Sequence, residues 1–161
     1  MKSHDMLQEH FDGQLRLAQP DPLQGPPRNS AHEVIPVAGI VPLTTVDFPG
    51  SLALVVFTPG CPWGCGYCHN REFRRIGRPS SPGWQVVCEL LDKRRGFLEA
   101  VVFSGGEPTL HPGLETALQM VRGMGFQTGL HTAGIFPERL TQLLPWLDWV
   151  GLDVKAPFDE R

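Results

Sequence analysis

Four short apolar runs alternate with three stretches of helical periodicity from residue 52 to the end of the chain. Leu52–Thr58 (LALVVFT) and Glu99–Phe103 (EAVVF) are continuous and rich in β-branched residues, the pattern of strands covered on both faces. Phe126–His131 and Trp149–Val154 (WVGLDV) read as two more. Trp84, Val87, Leu90 and Leu91 recur at helical spacing, as do Leu114, Ala117, Leu118, Val121 and Met124, and then Leu140, Leu143 and Leu144. Ser81 is placed to cap the first helix, with Pro82 at its first position and Gly96 beyond its end; Gly125 closes the second, Pro137 opens the third and Pro145 stops it. Such alternation predicts an α/β fold with right-handed crossovers and a parallel sheet. Val34–Val41 reads as a further strand ahead of the series, an N-terminal β extension followed by Leu43–Phe48 and a turn at Pro49-Gly50. Arg71–Pro82 has no period and is broken by Gly77, Pro79 and Pro82. Residues 1–33 read as a disordered tail: Pro20, Pro22, Pro26 and Pro27 crowd a polar stretch in which Asp5–Leu17 is the one candidate helix.

In parallel α/β sheets chemistry gathers at the carboxyl ends of the strands, where the loops converge on one face. Here the first long run leads into Cys61-Pro-Trp-Gly-Cys65-Gly-Tyr-Cys68, with His69-Asn70 directly after. The second leads into Ser104-Gly105-Gly106-Glu107-Pro108, the third into His131-Thr132-Ala133-Gly134, and the fourth ends with Asp153 and Lys155. Four independent segments therefore point at one rim.

Composition narrows the chemistry. With 41% hydrophobic and 19% charged residues over 161 positions the chain can build one ordinary globular core. A net charge of −3 does not suit a nucleic-acid binder. No apolar run reaches the roughly 18 residues of a membrane span, and the N-terminus, MKSHDMLQEHFDGQ, lacks the apolar stretch of a secretory signal. These features predict a cytoplasmic protein with reduced thiols, in which cysteines serve as ligands or core residues. Cys61, Cys65 and Cys68 are too close in sequence to pair comfortably with one another. Three thiolates can hold three irons of a cubane cluster and leave a fourth without a protein ligand, whereas an ordinary cluster takes four cysteines. Structural zinc wants four donors from two separated pairs, and no second C-x-x-C is present; His69 would be cramped as a fourth donor beside Cys68. At the level of the residues alone, zinc and unliganded thiols stay open beside the cluster.

The loop C-x-x-x-C-x-Tyr-C resembles the signature of the radical S-adenosylmethionine superfamily. The stretch Gly60–Asn70 and the lead-in Asp47-Phe-Pro-Gly50 are similar to activating proteins of glycyl-radical enzymes, above all those of anaerobic ribonucleoside-triphosphate reductase. The resemblance spans about residues 34–159, and 34–161 is taken as the N-terminal portion of a radical S-adenosylmethionine domain. It implies a partial, TIM-like βα barrel with about six strands, of which about four are present, so that the chain looks C-terminally truncated or like one piece of a split protein. It also implies a [4Fe–4S] cluster on Cys61, Cys65 and Cys68 whose open iron is chelated by S-adenosylmethionine. One electron then cleaves the sulfonium, and a 5′-deoxyadenosyl radical takes a hydrogen atom from a partner glycine. The cofactors carry the hard chemistry and the protein positions them.

The resemblance further implies that Ser104, Gly105, Gly106 and Glu107 seat the amino group of the cofactor, that Tyr67 lies beside its adenine, and that Asp153 and Lys155 reach its polar end, Lys155 as a point charge. The partner it implies is the glycyl-radical subunit of the reductase, with flavodoxin or ferredoxin as reductant; no nucleic acid and no membrane take part. Another glycyl-radical enzyme, a small-molecule target, and a non-catalytic iron–sulfur or zinc fragment are the alternatives. His131 reads as a satisfied strand-end histidine, Arg71, Arg74, Arg75 and Arg78 as a solvated basic run, and Cys88 as a small buried hydrophobe.

Overall fold

The computed structural model describes residues 33–77 and 81–155. The tail at 1–32, the candidate helix Asp5–Leu17 within it, and Arg78 lie outside the described residues. Five strands, β1 (Gly39–Thr44), β2 (Ala53–Thr58), β3 (Ala100–Gly105), β4 (Gln127–Thr132) and β5 (Trp149–Leu152), form one sheet in sequence order. β1 runs antiparallel to β2, and β2 to β5 are mutually parallel. Helices α1 (Trp84–Asp92), α2 (Leu114–Gly123) and α3 (Pro137–Leu143) make the crossovers. The sheet is open: β1 and β5 are its two edges, so the described residues form a partial βα barrel with the expected β extension.

The period of two explains why the central strands are apolar throughout. Leu54, Val56, Val101, Phe103 and Leu130 face the helices, where Trp84, Val87, Leu91, Leu114, Leu118, Val121 and Leu143 bury against them. Ala53, Val55, Ala100 and Val102 face the concave side, which Phe48 covers. The Phe48 ring sits where a side chain on Gly129 would collide, about 3.0 Å from an ideal Cβ, and packs 6.0 Å from Trp149. A buried aromatic of this kind contributes about 1.5–3 kcal/mol, so the lead-in Asp47-Phe48-Pro49-Gly50 is anchored through its phenylalanine.

Three boundaries differ from the sequence reading. The expected strand Val34–Val41 starts at Gly39 instead. Pro36 cannot donate to a ladder; Ile35 and Val37 enter the core beneath the helices, and pairing opens with Ala38 N–H to Phe57 O (2.7 Å). β1 then runs on to Thr44 with a register shift between Val41 and Thr44 that accommodates Pro42 at the edge. Helix α1 begins at Trp84 with Gly83 as N-cap and no side-chain cap, because Ser81 is held outside it by its N–H to Val37 O (2.9 Å). β5 ends at Leu152, leaving Asp153 and Lys155 in the following loop. Cys88 is only half-buried at the margin of the core. No helix among the described residues is long and apolar enough to cross a membrane.

Candidate functional site

Cys61, Cys65 and Cys68 are free thiols, all half-buried, in the loop that leaves β2. The return segment Arg71–Phe73, read as irregular, is a 3-10 turn that braces this loop. Gly60 N–H donates to Phe73 O (2.6 Å) and Cys61 N–H to Arg74 O (3.1 Å). The Phe73 ring packs at a tilt 5.2 Å from Phe57, tying the brace to the sheet, and the Arg71 guanidinium donates to Gly66 O. Cys68 N–H closes a turn onto Cys65 O (3.3 Å). Burial first, then the negative charge of Glu107 and the other two cysteines, pushes the Cys61 thiol up, while a backbone hydrogen bond at Trp63 pulls the other way. A cationic metal centre relieves that repulsion.

The Ser104–Glu107 turn is pressed against the start of the cysteine loop. Gly106 N–H donates to Thr58 O (2.9 Å) and Glu107 N–H to Gly60 O (2.8 Å). Thr58 Oγ1 donates to Ser104 O (3.3 Å) and Asn70 Nδ2 to Gly105 O (3.4 Å). Gly105 has φ +121°, and an ideal Cβ there would lie 2.4 Å from the Thr58 backbone; one on Gly106 would lie 2.1 Å from Gly60 O. The close approach anticipated for a bound cofactor is thus made here between two protein backbones. Gly106→Ala is expected to cost about 3 kcal/mol, the upper end of the overpacking range, and to lower iron uptake because Gly60 cannot yield without moving Cys61. Urea midpoints and iron content of the variant check this.

Glu107 points inward. It is 1% exposed. Its Oε1 accepts from Thr109 N–H (3.1 Å), Thr109 Oγ1 (2.5 Å) and Thr132 Oγ1 (2.7 Å), and its Oε2 from Ala133 N–H (3.0 Å). The side chain therefore caps the Pro108–Leu110 turn and clamps the loop after β3 to the loop after β4. Thr109, Thr132 and Ala133 are the partners sequence reasoning missed. Their signal was present, since an acidic residue buried in a Gly-Gly turn requires several nearby donors.

His111, also unforeseen, pins the other end of the cysteine loop. It is buried, its Nε2–H donates to Pro59 O (2.6 Å), and its own carbonyl accepts from Arg139 (2.5 Å). Burial holds the imidazole below its ordinary range, opposed by the bond to Pro59 O, reinforced by Arg139 and opposed again by Glu107. The unfolded chain binds this proton near its ordinary value of about 6.5 and the folded chain only at lower pH, so in that window unfolding takes up a proton. Stability from this group is complete above about pH 6.5 and declines as pH falls below it. Denaturant midpoints followed downward through that window are expected to fall in the parent and to fall less in His111→Gln.

At the far edge, the rim is closed by contacts from the loop after β5. Tyr67 is 59% exposed and donates its hydroxyl to Lys155 O (2.8 Å). Asp153 and Lys155 form an ion pair of 2.9 Å, and Asp153 N–H continues the ladder to Thr132 O (2.9 Å). The bond to Asp153 holds the Lys155 ammonium above its ordinary range against partial burial, helped by Asp153, Tyr67 and Cys65. Lys155 thus faces the cysteine loop. His131 is indeed satisfied: its ring bonds Asp47 O (3.1 Å) and meets Trp149 edge-on at 5.1 Å. The structure therefore gathers Cys61, Cys65, Cys68, Tyr67, Ser104–Glu107, Asp153 and Lys155 at one rim, with Glu107 beneath it.

The donor set fits a four-iron cluster. Three free thiols project from one glycine-bearing loop, and Arg74 Nε is buried without an acceptor among the described residues. No three His, Cys, Asp or Glu side chains among the described residues converge as they would around a single ion.

Comparison with known proteins agrees. Residues 55–161 match the sequence pattern of the radical SAM superfamily. A protein of Methanocaldococcus jannaschii named as a candidate glycyl-radical enzyme activating enzyme is 37% identical over 128 residues, covering 77% of this chain and 52% of that protein. The pyruvate formate-lyase-activating enzyme of Clostridium pasteurianum is 33% identical over 120 residues, covering 71% and 50%. Among solved structures, QueE from Escherichia coli aligns with a TM-score of 0.49 at 20% identity, covering 62% of this chain and 52% of that one. The chain spans about half the length of the relatives it matches. Members of the superfamily use a [4Fe–4S] cluster together with S-adenosylmethionine. With the signature cysteines set at the carboxyl end of the first parallel strand, and the family pattern running from within that strand to the last residue, the chain belongs to the radical SAM superfamily.

Proposed function

We propose that this chain is the cluster- and cofactor-binding part of an activase that installs a glycyl radical on anaerobic ribonucleoside-triphosphate reductase in the cytoplasm, with flavodoxin or ferredoxin as reductant. The observation that carries the reading is the half-buried thiol trio butted against the Ser104–Glu107 turn. Cys61, Cys65 and Cys68 would hold the cluster. Ser104, Gly105 and Gly106 would seat the amino end of S-adenosylmethionine, and Lys155, held by Asp153, its carboxylate. Tyr67 offers an aromatic face for the adenine. Glu107 acts beneath them as a positioning residue, fixing the two loops on which the binding groups stand. When bound, cluster and S-adenosylmethionine supply one-electron cleavage of the sulfonium and hence a hydrogen-abstracting radical. The protein's part is to bind, orient and exclude water.

The similarity to pyruvate formate-lyase-activating enzymes favours a second reading, in which the partner is a different glycyl-radical enzyme. The two are separated by electron paramagnetic resonance after anaerobic incubation of the reconstituted chain with each partner. A glycyl doublet on the reductase alone supports the first reading, and one on pyruvate formate-lyase alone replaces it with the second. Release of 5′-deoxyadenosine without a radical on either partner leaves a small-molecule target. Cluster loading without such release makes the chain a non-catalytic carrier.

A further inference from the structure

We propose that the Arg74 guanidinium donates a hydrogen bond to the iron–sulfur cluster of Cys61, Cys65 and Cys68 and thereby raises its reduction potential; this rests on the cluster reading above. Three observations converge on Arg74. Its carbonyl accepts the N–H of Cys61 (3.1 Å), which locks the residue to the first ligand. Its terminal nitrogen lies 3.3 Å from where a Cβ on Gly64 would stand, so the guanidinium lies over the loop between Cys61 and Cys65. Its Nε is buried with no acceptor among the described residues.

The neighbouring arginines are different. Arg71 is exposed and bonded to Gly66 O, and Arg75 is exposed. The sequence treats all of them as one solvated run, but of Arg71, Arg74 and Arg75, Arg74 alone carries a buried, unmatched N–H. A buried donor left in that state is costly, and a charged one more so. An acceptor nearby removes the cost. Thiolate and sulfide sulfurs beside Cys61 are acceptors with net negative charge. Hydrogen bonds to the sulfurs and local net charge are two of the factors that set cluster potentials. A guanidinium stabilises the reduced, more negative form over the oxidised one, so its loss makes the cluster harder to reduce.

The test is a redox titration of the anaerobically reconstituted full chain, read by electron paramagnetic resonance of the reduced cluster. Arg74→Gln with a full iron load is expected to show about a tenfold lower ratio of reduced to oxidised cluster at the parent's midpoint, about 59 mV for a one-electron couple. Arg75→Gln is expected to titrate with the parent. Arg74→Lys keeps a cation at this position but removes the guanidinium N–H donors, and is expected to shift the midpoint in the same direction by a smaller amount. A loaded Arg74→Gln at the parent's midpoint overturns the proposal and reduces Arg74 to a loop brace. So does an equal shift in Arg75→Gln, which would mean general surface charge. If Arg74→Gln takes up no iron, Arg74→Lys decides alone, a loaded and unshifted sample counting against the proposal. Failure of the parent itself to take up a four-iron cluster is a different result, and removes the cluster reading instead.

Discussion

Glu107→Ala is expected to destabilise the metal-free protein by about 4 kcal/mol or more, enough to unfold a marginal domain. The alanine leaves Thr132 Oγ1, the Thr109 hydroxyl and N–H, and Ala133 N–H without their acceptor in a site that is 1% exposed. Each buried donor so stranded costs about 1–3 kcal/mol. Glu107→Gln keeps one acceptor oxygen but turns an amide N–H toward protein donors whichever way it is oriented, so it is expected to lose about half as much. Urea unfolding in the absence of iron and S-adenosylmethionine reads both. A carboxylate that served only the cofactor would leave these midpoints unchanged, so parent-like stability in Glu107→Ala removes the clamp from the account.

Cys65→Ala is expected to abolish cluster assembly while leaving the fold alone. Anaerobic reconstitution of the parent is expected to give about four irons per chain with broad visible absorption, and of the variant neither. Cys65 lies at the half-exposed rim, outside both core clusters, so its urea midpoint without metal is expected within about 0.5 kcal/mol of the parent. Stoichiometric, colourless zinc in the parent would reject the cluster and with it the radical chemistry.

The strand series was legible because burial on two faces leaves a distinctive run. Leu54 and Val56 serve the helical side, Ala53 and Val55 the concave one, and no polar residue interrupts them. The placement of the cysteine loop, the Gly-Gly turn and Asp153–Lys155 at one rim followed from topology alone, since parallel strands put their following loops on the same side. Boundaries depended on individual backbone bonds that periodicity does not encode. Ser81 looks like a cap by residue type, but its N–H is committed to Val37 O. Val34 to Val37 look like a strand by composition, but Pro36 defers pairing to Ala38. The direction of Glu107 was equally hidden, because a carboxylate at a strand end can face the rim or the interior. Only the arrival of Thr132 and Ala133 from a strand 20 or more residues away decides for the interior. His111 escaped notice for the same reason: its partner, Pro59, lies 52 positions earlier.

The phenol of Tyr67 and the carbonyl of Lys155 join the first and last loops of the parallel series. A single neutral bond in contact with water holds two segments together by about 1 kcal/mol, a population ratio of only about five. Thermal breathing alone is therefore enough to part the two loops many times over before any chemistry begins. As far as this one bond is concerned, the two loops need no trigger to separate.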